Sequence, residues 1–411
     1  MTPWGTARLG EKVEILNRKR IPLSRIERAK RQGPYRYFGA QGVIDHIDGF
    51  LFDGEYLLVA EDGENLRSRK QPVASLVSGQ FWVNNHAHIL RAREGVANNR
   101  FLLHAINSAA LGGLITGAAQ PKLTKANLER LELPCPSPRT QDRIAAFLAA
   151  FDELIEMNER RIELLEELAR SLYREWFVRF RFPGRELVDL VDSAIGPVPA
   201  DWSISSLGEA AASLVDGDWV ETKDQGGDAY RLLQVSNIGL ATFRETGNRR
   251  YVSSETFDRL RCTSIGVGDI LISRMPDPIG RAWLVDYLPE PAITAVDVAI
   301  LRPISPASGI YLSLWLNSPS TIGHAEAVAT GTTRKRVSRS VLSSFRLCIP
   351  PARVLARFDQ IVRPILDERS ILAHHNDRLA ATRDLLLPRL VTGRHDISDI
   401  DLGDLLPVEA T

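Results

Sequence analysis

Cysteine is scarce in this chain, with three in 411 residues: Cys135, Cys262 and Cys348. Three widely spaced thiols exclude a disulfide framework, and no CxxC spacing suggests zinc. Long apolar runs are also missing. No stretch approaches the roughly 20 apolar residues of a membrane span. The opening segment Met1 to Arg8 lacks the apolar core of a signal peptide, so the expected location is cytoplasmic, with no membrane partner. Net charge is absent too, because 51 basic residues balance 51 acidic ones. Net charge alone therefore implies no polyanionic partner.

Catalytic signatures are equally absent. There is no GxxxxGK[ST] phosphate loop, no HExxH and no GxSxG. Asp277-Pro278 lacks the aromatic partner and glycine-rich turn that an adenine methyltransferase needs. His86 and His88 form an HxH that suits a metal on one strand face, or a structural, hydrogen-bonded pair. No convergent acid, base and nucleophile is apparent. The chain is expected to be non-catalytic and to hold no metal or cofactor of its own.

What is present is a repeat. At an offset of 214 residues, Thr116-Gly117 recurs as Thr330-Gly331. Leu128, Leu131 and Leu133 recur as Leu342, Phe345 and Leu347. Ile144, Phe151, Asn158, Leu165 and Leu172 match Phe358, Ile365, Leu372, Leu379 and Leu386. No gap is needed. The chain reads as two tandem halves, each a variable mixed segment followed by a long helix.

The variable segments carry short apolar runs broken by Gly, Pro, Asn and Asp, such as Gly49 to Ala60 and Val267 to Ser273, which read as strands and tight turns. Helical periods are scarcer and include Phe101 to Ala110 and Gly309 to Asn317. The expected fold class is α+β with curved sheets. The first long helix should start after Pro134, Pro136 and Pro138, run from Thr140 to about Val178, and stop at Pro183-Gly184. Its length would be roughly 55 to 60 Å at ~1.5 Å per residue. The second should run from about Arg353 to Leu390 and end at Gly393. Pro364 predicts a kink or a late start there, and His375 and Thr382 fall on its inner side. An apolar stripe of this length needs a partner helix. The expected seam is Ile144, Phe151, Leu165 and Leu172 against Phe358, Ile365, Leu372, Leu379 and Leu386. Antiparallel, parallel and intermolecular pairing all satisfy the pattern.

Charge is unevenly distributed. The first forty residues hold ten Arg or Lys against three Glu. Residues 396–411 hold five acids and no base. The loop Gly331 to Arg339 is densely cationic, and the matching loop is Gly117 to Lys125. Basic patches in both halves point to a nucleic-acid backbone. Candidate contacts are Arg36, Gln41, Gln120 and Lys122 in the first half, and Arg244, Arg249, Arg250, Arg274, Arg334, Lys335 and Arg336 in the second.

Several stretches resemble the specificity subunit of a type I restriction-modification system. They are Tyr37 to Asp45, Phe52 to Gly63, Leu131 to Pro134 leading to Gln141-Asp142-Arg143-Ile144, and Phe151-Asp152. Leu172 to Val178, Pro199 to Trp202, Leu207-Gly208, Gly268 to Arg274 and Leu386 to Gly393 follow in the family's order. The second helix departs by having Arg353-Val354-Leu355 where the first has Arg139-Thr140-Gln141. The resemblance implies target-recognition domains at 1–137 and 199–350. It implies a central conserved helix at 138–182, a linker at 183–198, a C-terminal conserved helix at 351–395 and an acidic tail at 396–411. It implies that the helices pair as an antiparallel coiled coil. It also implies a subunit that reads a bipartite target in double-stranded DNA. Two modification subunits would carry the adenine methyltransferase site and S-adenosylmethionine. Restriction subunits would use ATP and Mg to translocate and cut. The alternative is a structural coiled-coil adaptor without sequence-specific DNA contact. A fused restriction-methylation enzyme is disfavoured by the missing motifs.

Overall fold

The computed structural model describes residues 4–332 and 334–397. The acidic tail expected at 396–411 falls almost wholly outside the described residues, as does Thr333 of the cationic loop. The chain divides into two compact units, residues 1–157 with 375–411, and residues 158–374.

The first unit is built on two four-stranded sheets. In the main sheet, Val13–Ile15 pairs with Ala87–Ala92, which pairs with Tyr56–Ala60, which pairs with Ala74–Val77, all antiparallel. Tyr56–Ala60 is buried along its whole length, as the apolar run predicts. In the second sheet, Gln32–Gly39 lies between Gly42–Ile47, antiparallel, and Gln80–Val83, parallel. The helix Asn99–Ser108 packs its Phe101, Leu102, Ala105 and Ile106 into the core, capped by Asn98.

The second unit repeats this plan. Ala211–Asp216, Val298–Pro303, Ile270–Ser273 and Ala282–Leu284 form the same antiparallel order. Tyr230–Leu233 lies between an antiparallel Tyr251–Val252 and a parallel Ala292–Thr294. The helix Pro306–Leu316 matches Asn99–Ser108. It is apolar nearly all round and correspondingly buried. Strand registers align the two units independently of sequence. Leu57 faces Leu90 as Ile270 faces Leu301.

The long helices span Pro138–Tyr173 and Ala352–Val391. Pro138 occupies the first turn, where its missing N–H costs nothing, and Ser137 accepts the Thr140 N–H. The first helix ends in a wider turn, Arg174–Val178, that buries Trp176 and Phe177. The second runs unbroken through Pro364, which is exposed, so the late start expected there does not occur. Gly393 closes it with φ +72°.

Within each unit the two helices run antiparallel. In the first, Arg383 meets Asp152 at 2.5 Å and Asn376 Nδ2 donates to the Ile155 carbonyl. In the second, Arg161 meets Glu368 at 3.0 Å, Arg369 meets Glu166 at 3.1 Å, and the Trp176 ring packs on Phe358. Of the expected seam, Ile144, Phe358 and Leu372 are buried, while Phe151, Leu165, Leu172, Ile365, Leu379 and Leu386 are half-buried. His375 and Thr382 do not sit on the inner side. Both are exposed, because the apolar row carries Leu372, Leu379 and Leu386 inward and leaves them on the flanks. The departure at the second helix start has a simple cause. Gln141 is buried and hydrogen-bonded to the Pro136 carbonyl and the Asn98 N–H. Its counterpart Leu355 is buried in an apolar cluster instead.

Candidate nucleic-acid interface

Each unit presents the same loop, and the repeat of 214 residues holds residue for residue along its backbone. Thr116 pairs with Lys122 across one loop, and Thr330 pairs with Arg336 across the other. Gly117 and Gly331 both have positive φ, +86° and +116°. A Cβ at Gly117 would lie 2.3 Å from the Gln120 carbonyl oxygen, and one at Gly331 would lie 2.5 Å from that of Arg334. Only glycine fits either place. The buried Leu123 and Val337 follow. Then Thr124 and Ser338 cap the short helices Lys125–Glu129 and Arg339–Ser343, each accepting a backbone N–H three residues on. Leu128 and Leu342 anchor those helices in the core.

An equivalent backbone bond ties each loop to the main sheet. Leu123 N donates to the Glu61 carbonyl, and Val337 N donates to the Arg274 carbonyl. Glu61 N and Arg274 N in turn donate to the carbonyls of His86 and Asp297. Glu61 and Arg274 are therefore equivalent positions of opposite charge.

In the first unit Glu61 collects cations. Its carboxylate lies 2.7 Å from Arg20 and 3.4 Å from Lys122. Beside it is His88, fully buried. Asn17 Nδ2 can only donate, so His88 Nδ1 accepts at 2.8 Å and Nε2 donates to the Leu123 carbonyl at 2.7 Å. Burial pushes His88 below the usual imidazole range, and the Leu123 carbonyl and Glu61 oppose this. Its neutral form holds the loop. Burial pushes Glu61 upward, but the Arg20 hydrogen bond and charge, with Lys122, bring it below the ordinary carboxylate range.

In the second unit Arg274 collects anions. It is 2% exposed, 3.2 Å from Asp216 and 3.9 Å from Asp297. The same acids reach outward to Arg339 at 3.3 Å and Arg336 at 3.2 Å. Burial lowers the Arg274 pKa, an effect Asp216 opposes.

This geometry sorts the candidates. Gln120, Arg334 and Lys335 are exposed on the loops. Lys122 and Arg336 are exposed but partly engaged by Glu61 and Asp297. Arg36 is exposed on the second sheet of its unit, over the Phe38 ring, and Gln41 sits at the tip of the adjoining hairpin. Arg244 is exposed. Arg249 shares Glu245 with the buried Arg231, and Arg250 is half-buried. Arg274 is corrected from surface contact to core anchor, since its guanidinium is sealed beneath the loop. Arg281 also turns inward and donates to the carbonyls of Val235, Ile238, Met275 and Pro278. The HxH pair is split as well. His88 is buried on a strand, while His86 lies in the preceding turn, 2.7 Å from Asp62. Among the described residues, no group of three or more His, Cys, Asp or Glu is placed to hold a metal ion. No described helix is long and apolar enough to cross a membrane.

The supports of the loops were missed in the sequence. Glu61 and Arg274 do not align by residue type, and no signal short of strand register pairs them.

Residues 1–167 match the family model for the type I restriction modification DNA specificity domain. S.HindORF215P of Haemophilus influenzae is 34% identical over 146 residues, which is 36% of this chain and 37% of that one. The MjaVIII type I restriction enzyme specificity subunit of Methanocaldococcus jannaschii is 19% identical over 417 residues, covering 97% and 94%. The chain thus spans little over a third of the length of the first relative and nearly all of the second. A crystal structure of the S subunit of a type I restriction-modification system from M. genitalium shares the fold, with TM-score 0.60, 15% identity and 97% of each chain covered. A duplicated α+β unit carrying a DNA specificity domain defines the class. Residues 1–167 thus match that specificity domain, and the chain is similar to a type I restriction enzyme specificity subunit over nearly its whole length.

Proposed function

We propose that this chain is the DNA-reading subunit of a type I restriction-modification complex, with one half of a bipartite target read by each sheet-and-loop unit. The observation that carries this reading is the duplicated Thr-Gly loop. Its backbone is the same in both units, fixed by glycine and a sheet hydrogen bond, and its exposed side chains differ. Gln120 and Lys122 stand where Arg334 and Arg336 stand. A constant frame with variable polar tips is what two different half-sites require. Side chains of these types serve both phosphate grip and base-edge contact.

The recognition domains are 1–137 and 199–350, joined through the helices 138–182 and 351–395. The chain itself does no bond-making chemistry. Methylation belongs to two modification subunits that bind S-adenosylmethionine, and cleavage to restriction subunits that use ATP and Mg. Exposed apolar residues on the first long helix, Leu164 and Leu168 among them, offer the modification subunits a docking surface. The complex is cytoplasmic, where the chromosome is.

The test is single-molecule methylome sequencing of a methylation-free host carrying the modification subunit, with and without this chain. A split motif with N6-methyladenine that appears only with this chain is expected. Co-purification of the complex with no motif would instead favour a structural adaptor and overturn the reading.

A further inference from the structure

The second unit carries an exposed tryptophan outside its cationic loop. Trp219 is 69% exposed. Its place in the fold is tightly defined. Val337 N, on the cationic loop, donates to Arg274 O at 3.0 Å; Arg274 N donates to Asp297 O at 2.9 Å; Gly217 N donates to Val298 O at 2.9 Å. This ladder crosses one end of the main sheet. It sets the segment bearing Trp219 at the same end as Arg334, Lys335 and Arg336.

The segment is held on several sides. Asp218 N donates to Thr294 O, and the Asp218 carboxylate accepts the Thr263 N–H at 3.0 Å. A Cβ at Gly217 would fall 2.3 Å from the Ala295 carbonyl oxygen, so the chain is pressed against its neighbour there. The indole is therefore presented on a fixed backbone. Its one polar contact is Nε1 donating to Glu221 at 3.4 Å, on the ring edge, which leaves the faces open. Nearby acids are committed elsewhere: Asp216 to Arg274 and Arg339, Glu221 to Lys223, and Asp224 to Arg259. In the first unit the corresponding edge strand ends at Ile15, and the chain turns into a short helix at Asn17–Lys19. The feature belongs to one half only.

A large aromatic face beside a cationic loop is the arrangement that grips a base by stacking while the cations hold its phosphates. We propose that Trp219 is a base-stacking residue of the second recognition unit, engaging a base that is unstacked or splayed from the duplex when the complex binds its target. This rests on the DNA-reading function proposed above.

The experiment compares the complex containing wild-type chain, Trp219→Ala and Trp219→Phe on a duplex carrying the methylome-defined target. 2-Aminopurine is placed in turn at each position of the second half-site other than the adenine that is methylated, which the modification subunit itself must unstack. With wild type, one position should brighten on binding as its base leaves the stack. Trp219→Ala should abolish that signal and weaken binding by about tenfold, within the range for one stacked base. The slope of log affinity against log salt should stay unchanged, since every phosphate keeps its cation. Trp219→Phe should retain most of both. Trp219→Ala binding within twofold of wild type, or a 2-aminopurine signal that survives it, overturns the stacking role. A wild-type complex that fails to bind the duplex at all overturns the DNA reading itself, and the stacking role with it.

Discussion

The two loops follow one path over opposite charges. Beneath the first lies Glu61, beneath the second Arg274, at the same place in the sheet and using the same backbone bond. Around Glu61 stand Arg20, Lys122 and a neutral His88. Around Arg274 stand Asp216 and Asp297. The loop path is set by main-chain hydrogen bonds and by one glycine, and these recur. The sign of the charge beneath is free, provided each buried ion finds partners. This freedom has an outward consequence. The first loop commits Lys122 to Glu61 and Lys125 to Glu129. The second commits Arg336 to Asp297 and leaves Arg334 and Lys335 facing solvent.

The likeness between the loops is broken most severely at Arg274. Arg274→Ala removes the buried partner of Asp216 and Asp297, leaving them only Arg339 and Arg336 at the surface, and should destabilise that unit by about 3 kcal/mol, the low end for a broken buried pair because both acids keep some exposure and an outer cation. Glu61→Ala should cost the first unit less, about 2 kcal/mol, because its Arg20 also donates to backbone carbonyls. Thermal unfolding of the two variants should keep that order. Equal costs would mean that the opposite anchors are not what differs.

The glycines sharpen the likeness. Gly117→Ala and Gly331→Ala each force a Cβ against a carbonyl at positive φ, and each should cost about 2 kcal/mol. Similar losses by chemical denaturation are expected. A tolerated substitution in one loop would show that the two backbones are not held alike.

Phosphate grip should be unequal. Replacing Arg334 and Lys335 with Ala should reduce the salt slope of duplex binding by roughly 2, at ~0.9 for each phosphate left without its cation, whereas Lys122→Ala should change it by less than about 1. Titrations of binding from low to high salt measure this. A larger change at Lys122 would reverse the asymmetry.

The smallest effect concerns pH. His88 has a folded pKa below its unfolded value, so the unfolded chain binds the extra proton. Stability at the first loop should fall as pH drops through the unfolded value of ~6.5 toward the lowered folded one. Burial pushes Asp218 in the second unit up to about 6, so between ~3.8 and about 6 the folded state binds the extra proton and stability there falls as pH rises. Hydrogen exchange at Leu123 and Thr263 across pH 4 to 7 should therefore move in opposite senses. His88→Gln should flatten the first trend. Trends of one sign at both amides would contradict the assignment.

Much of this architecture was legible in the residues. The prolines, the gap-free apolar period and Gly393 marked the long helices to within two residues at most ends. The offset of 214 holds through the loops to the residue. The anchors were not legible, because a carboxylate and a guanidinium at equivalent places look unrelated until strand register aligns them. Arg274 reads as surface charge because sequence shows an ion and not its partners, and burial is possible once Asp216 and Asp297 surround it. His375 and Thr382 were misplaced because a row that turns inward every seven residues was read one position too wide.

The central claim is that each unit reads its own half of the target. The direct measurement is methylome sequencing of two variants side by side, Gln120→Ala with Lys122→Ala in one chain, and Arg334→Ala with Lys335→Ala in the other. Each should relax or abolish methylation through the bases of one half-site and leave the sequence demanded at the other unchanged. If both variants methylate the wild-type split motif with unaltered stringency, or if either alters both half-sites together, the loops do not read the target and the account fails.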